Sequence, residues 1–152
     1  MLHRFGSLAL VTVLATFVAG SEAAAQSTHA AHAAAAQSTP LMAMLTAPSG
    51  AKTPAGMVMV SGTTVQITLT GDTPGAVRAW HIHKGSCGHD DGIVGDAAVF
   101  PTFTVASDGK GVAKATLAAP LPAGTSYFVN VHASATDHKT IVACGALSAG
   151  GM

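Results

Sequence analysis

Residues Thr64 to Thr70 read Thr-Val-Gln-Ile-Thr-Leu-Thr, a strict alternation of polar and apolar positions that marks a strand with one buried face. Gly71-Asp-Thr-Pro-Gly75 ends it with turn chemistry. Similar runs recur from Leu41 onward, and we read strands over 41–47, 56–61, 64–70, 76–83, 98–106, 111–118, 126–133 and 141–147. Clusters such as Pro48-Ser-Gly50, Ser107-Asp-Gly109 and Pro120-Leu-Pro-Ala-Gly124 separate them. Short strands punctuated by Gly/Pro turns predict an all-β sandwich or barrel. No segment of 41–152 combines a 3.6-residue period with helix caps, and a parallel sheet would need alternating helices, so the sheet is predicted to be antiparallel.

The first forty residues follow different rules. His3 and Arg4 precede an apolar stretch from Leu8 to Ala19, and Ala23-Ala-Ala25 before Gln26 fits a small-residue cleavage site. That stretch falls well short of the roughly 20 residues needed to span a bilayer. Residues 1–25 therefore read as a signal peptide rather than an anchor, which predicts a periplasmic or secreted protein with no membrane attachment after cleavage. Residues 26–40 carry Ala, Ser, Thr and two histidines but no large apolar side chain, so they read as a linker before a single domain over 41–152. His29 and His32 read as part of that tail rather than as ligands.

Charge narrows the partners. Lys and Arg total 7 against 7 Asp and Glu, and charged residues make up 9% of the chain, where a soluble domain averages about 25%. Without a basic cluster, the dense positive field of a nucleic-acid or membrane-surface binder is missing. The two cysteines, Cys87 and Cys144, are expected to be joined in an oxidising compartment.

Candidate chemistry concentrates in Val77-Arg-Ala-Trp-His-Ile-His83. Side chains alternate along a strand, so Trp80 and Ile82 are placed in the core while His81 and His83 share the other face about 7 Å apart. In Tyr127-Phe-Val-Asn-Val-His132 the same logic sets Val129 and Val131 inward and Asn130 with His132 outward. Three imidazoles held by rigid strands suit copper, zinc or another borderline metal. Met42-Ala-Met44 and Met57-Val-Met59 add thioethers, which favour Cu(I), although methionine at period two more often fills a core or an edge.

Taken in order, Trp80-His-Ile-His83, Cys87, Val94-Gly-Asp96, Ser107-Asp-Gly109, Val129-Asn-Val-His132 and Ala143-Cys-Gly145 resemble the copper/zinc superoxide dismutases over about residues 41 to 148. The resemblance implies an eight-stranded antiparallel Greek-key β-barrel, copper on His81, His83 and His132, and a Cys87–Cys144 disulfide tying an active-site loop to the last strand. His89 stands as a fourth ligand, since the family has a further histidine after the first cysteine. Asp96 matches the family's zinc aspartate, but Asp90-Asp-Gly-Ile93 offers no histidine before it, so copper without zinc is expected. Ile141 replaces the family's arginine three residues before the last cysteine, which leaves Lys139 or Lys84 to supply positive charge near the metal. The histidine segments are also similar to those of chordin-like domains, which imply no redox role. Two functions follow: a copper enzyme acting on superoxide, or a non-enzymatic protein that binds and buffers copper ions on the same fold.

Overall fold

The computed structural model describes residues 39–48 and 53–150. Residues 1–25, read above as a signal peptide, the segment to residue 38 read as a linker, with His29 and His32, and Ser49 and Gly50 lie outside the described residues.

All regular structure described is β apart from one short 3-10 turn. The strands are β1 (Leu41–Leu45), β2 (Ala55–Ser61), β3 (Thr64–Thr70), β4 (Val77–Arg78), β5 (Trp80–Ser86), β6 (His89–Ile93), β7 (Phe103–Thr104), β8 (Gly111–Thr116), β9 (Tyr127–His132) and β10 (Ile141–Ala149). Eight of them form one antiparallel sheet in the order β6-β5-β9-β10-β1-β2-β3-β8, curled into a half-barrel, and β4 with β7 makes a small separate ribbon. The concave side holds the core. Ala43, Leu45, Val58, Val60, Val65, Ile67 and Leu69 face Trp80, Ile82, Val129, Val131 and Ala143 there, all buried. In β3, and for Trp80 and Ile82 of β5, the inward residues alternate with polar ones, so the period-2 pattern decides which side chains go inside; in β1 and β2 the inward residues alternate with methionines instead.

Three expectations need correction. The strand read over 76–83 is broken at Ala79, because the chain changes partners there: Val77 and Arg78 pair with β7, and Trp80 onward pairs with β9. The strand read over 98–106 is mostly absent. Asp96 instead caps a 3-10 turn over Ala97–Val99 by accepting the Ala98 amide at 2.9 Å, and Pro101, which lacks an amide hydrogen, follows. This loop wraps the tryptophan, whose indole N–H donates to the Pro101 carbonyl at 2.8 Å while Phe100 meets its ring edge-on at 5.2 Å. From its end, the Phe103 ring of β7 lies where a side chain at Gly111 would stand, so β7 presses directly on β8.

The third correction is β6, which the pattern did not indicate. His-Asp-Asp-Gly-Ile is exposed at all its positions and has no apolar alternation. It pairs with β5 through the backbone, after a two-residue turn of Cys87 and Gly88 in which Gly88 takes a φ of +87°. Positive φ suits glycine in such hairpin turns.

A buried ion pair fastens the turn after β3 to the end of β4. The Arg78 guanidinium donates to both carboxylate oxygens of Asp72, at 2.7 and 2.6 Å, and also to the carbonyl of Ala133 just beyond β9. Burial acts most strongly on Asp72 and pulls its pKa upward, but Arg78 and the Thr73 amide outweigh it and hold the carboxyl below its ordinary value.

Candidate metal centre

On the convex side of β5 and β9, the outward positions hold His81, His83, Phe128, Asn130 and His132, and all five are buried. Segments folded over the sheet cover them. The β5–β6 hairpin lies on one side, fastened by the Cys87–Cys144 disulfide, whose Cα atoms are 6.0 Å apart. The β9–β10 connection, residues 133–140, lies on the other. Between them opens a cleft of ≈ 910 Å³ lined by the three histidines, Asp90, Phe128 and Asn130, with His138, Lys139 and Ile141 also contributing.

The three histidines offer ligand atoms that all lie within 4.8 Å of one another. Three nitrogens bonded to one ion at about 2 Å are at most about 4 Å apart, so ring adjustments of less than about 1 Å would close the set. His81 Nδ1 and His132 Nε2 already share a hydrogen bond of 3.0 Å.

Asp90 fixes the tautomer of His83. The ring's Nδ1–H donates to the carboxylate at 2.9 Å, which leaves the lone pair on Nε2. Buried Nε2 has no hydrogen-bond partner among the described residues, and neither does Nδ1 of His132. Phe128 stacks on the His83 ring at 5.2 Å and 26°, holding its plane. Desolvation, the largest influence on Asp90, raises its pKa, but the Gly92 amide and the His83 hydrogen bond prevail and keep it below the usual carboxylate range.

Burial also sets the charge of the rings. It pushes the pKa of His81 down to about 4, helped by repulsion from His132, His83 and His138. His132 is likewise lowered to about 4, first by burial and then by His138 and His83. At neutral pH both rings are neutral, the form in which imidazole binds a metal.

The other candidates lie elsewhere. His89 sits beyond the hairpin turn with its side chain 80% exposed, 3.5 Å from Asp91, and takes no part in the three-histidine cluster. Asp96 caps the 3-10 turn. Instead His138, which the sequence reading passed over, stacks near the cluster, its ring centre 5.1 Å from that of His132 and 5.3 Å from that of His81. Its Nε2–H donates to the Ala135 carbonyl at 2.9 Å, so Nδ1 keeps a lone pair. The loop holds itself in shape: Ser134 Oγ accepts the Asp137 amide at 2.9 Å, and Asp137 Oδ1 accepts the amides of Lys139 and Thr140 at 3.1 Å. A usable signal was present, since Ser134, Thr136 and Asp137 are turn formers and a hairpin returns its loop to the strand end. Here the return sets Ile141 opposite His132, with a register shift before Ala143.

No protein-family model matches this chain, and no curated protein matches it.

Proposed function

We propose that the chain is an exported copper protein of the superoxide dismutase type, holding one copper ion on His81, His83 and His132 and admitting superoxide through the cleft. The observation that carries this reading is the set of three buried, converging imidazoles, in which His83 Nε2 has no partner among the described residues. An unsatisfied buried polar group costs about 1–3 kcal/mol, and a bound metal ion offsets that cost. Copper is favoured because it stands above zinc in affinity for nitrogen donors. Among the described residues, Asp90 is the carboxylate that bonds to the cluster, and it orients His83, as carboxylates behind metal-bound histidine commonly do.

Bound copper would supply one-electron exchange, so that one superoxide leaves as oxygen and a second, taking that electron and two protons, leaves as hydrogen peroxide. The protein supplies the rest. Strands β5 and β9 fix the rings, Asp90 sets a tautomer, and the cleft admits a small anion. Guidance of that anion is weak. Ile141 lines the cleft where a cation would attract it, and Arg78 is committed to Asp72 and Ala133. Among the described residues, Lys139 is the one lysine or arginine lining the cleft.

Ile141 also favours the second reading, a protein that binds and buffers copper without turnover. Superoxide decay, followed with the copper-loaded chain and with Ile141→Arg, separates the two. Dismutation predicts a rate below the diffusion limit that rises in the arginine variant and becomes more salt-sensitive, since a surface charge is screened over about 10 Å at 0.1 M salt. No decay above that of free buffer in either protein would leave the copper-holding reading.

A further inference from the structure

Four of the 6 methionines in the chain stand together on the convex face of β1 and β2. Met42 pairs directly with Met59, and Met44 directly with Met57. Their inward neighbours Ala43, Leu45, Val58 and Val60 are buried, while Met44 is 70% exposed, Met59 42% and Met57 37%. Core packing is therefore not the role of these three, and Met42 is half-buried. The adjoining strand shows what this face otherwise carries: Gln66 and Thr68, opposite Met59 and Met57, are polar.

Directly opposed Cβ atoms are about 5 Å apart and those two residues along a strand about 7 Å. The four Cβ atoms thus outline a small rectangle, with every corner about 4 Å from its centre. Methionine is unbranched, with three rotatable bonds, so four sulfurs can turn toward one point above it. Thioethers are soft and uncharged, which suits a soft monovalent ion and leaves a hard dication uncompensated. Strands β1, β2, β3, β8 and β10 contain no Asp or Glu that would recruit such a dication.

The patch shares its face with the histidine cleft. Thr46, two residues after Met44, bridges to Cys144 and lines that cleft together with Ala47 and Pro48. Strands β1 and β5 are three strand spacings apart, about 14 Å across the sheet.

We infer that Met42, Met44, Met57 and Met59 form a second metal site, selective for Cu(I) or Ag(I) and separate from the imidazole cluster. The site is independent of whether the histidines take copper. Ag(I), which is redox-inert under these conditions, is the probe, added to the full chain with 13C-labelled methionine methyl groups. The first or second equivalent should move all four methyl resonances, and Zn(II) should move none. In Met44→Leu/Met57→Leu, whose exposed positions tolerate leucine, Ag(I) affinity at this face should fall at least tenfold. His81→Ala/His83→Ala should keep the methyl shifts, which sets the site apart from the imidazoles. Methyl resonances that stay fixed while Ag(I) binds would overturn the inference, as would undiminished affinity in the double leucine variant.

Discussion

The convex face of one sheet carries two regions built by the same rule and finished differently. On β1 and β2 the outward methionines stay in contact with solvent. On β5 and β9 the outward histidines are buried beneath the β5–β6 hairpin and the 133–140 loop. Alternation decides which face a side chain takes, and covering segments decide what chemistry it has once there. The covered imidazoles converge, burial keeps His81 and His132 neutral, and Asp90 and Phe128 hold His83, whereas bare thioethers keep their freedom.

Removing the cover should make the two regions alike. Cys87→Ser/Cys144→Ser opens a sequence separation of 57 residues, for which chain entropy gives about 4 kcal/mol. Denaturant unfolding should show a loss of that order, with faster hydrogen exchange in β6 than in β2. Equal stability would mean that the hairpin stays in place without the bridge.

The pH dependence of the metal-free protein tests the burial of the rings. Folding lowers the pKa of His81 and His132 from 6.5 to about 4. Between those values the unfolded chain binds more protons, so this stability is complete above about 6.5 and is lost as pH falls through about 4. Thermal unfolding at stepped pH should show a declining midpoint across that window and little change between pH 7 and 8. A flat profile from 7 to 4 would place the rings in water, like the methionines.

Much of this was legible in the sequence, and its limits have physical causes. Strands β2 and β3 matched within a residue, because each alternates an apolar core position with a solvent position and the pairing needs nothing else. The inward placement of Trp80, Ile82, Val129 and Val131 was readable for the same reason. Strand β6 was not, since His89-Asp-Asp-Gly-Ile93 buries nothing and is held by backbone pairing and a disulfide 57 residues long in reach. Val99 and Phe100 looked like strand residues because they are apolar, yet Asp96 and Pro101 bend their backbone into a turn and loop around Trp80. At the site, His81, His83 and His132 follow from strand parity, whereas His138 depends on the shape of a loop set by Ser134 and Asp137.

Finer substitutions sharpen the contrast within the covered region. Asp90→Ala removes the acceptor that fixes His83, and loss of such a partner behind a metal-bound histidine lowers metal affinity about 10–100-fold. Copper titration should find the site weakened and the fold intact. On the bare face, Met44→Thr should change stability by less than about 0.5 kcal/mol, as expected of an exposed position; a larger loss would show that the patch is covered in solution.

The central assignment is a single copper on three imidazoles. Electron paramagnetic resonance of the chain titrated with Cu(II), beside His81→Ala and His132→Ala, tests it most directly. One equivalent should give a single spectrum with nitrogen hyperfine structure from the histidine rings, and each variant should lose that spectrum or bind at least tenfold more weakly. An unchanged spectrum and affinity in both variants would contradict the assignment.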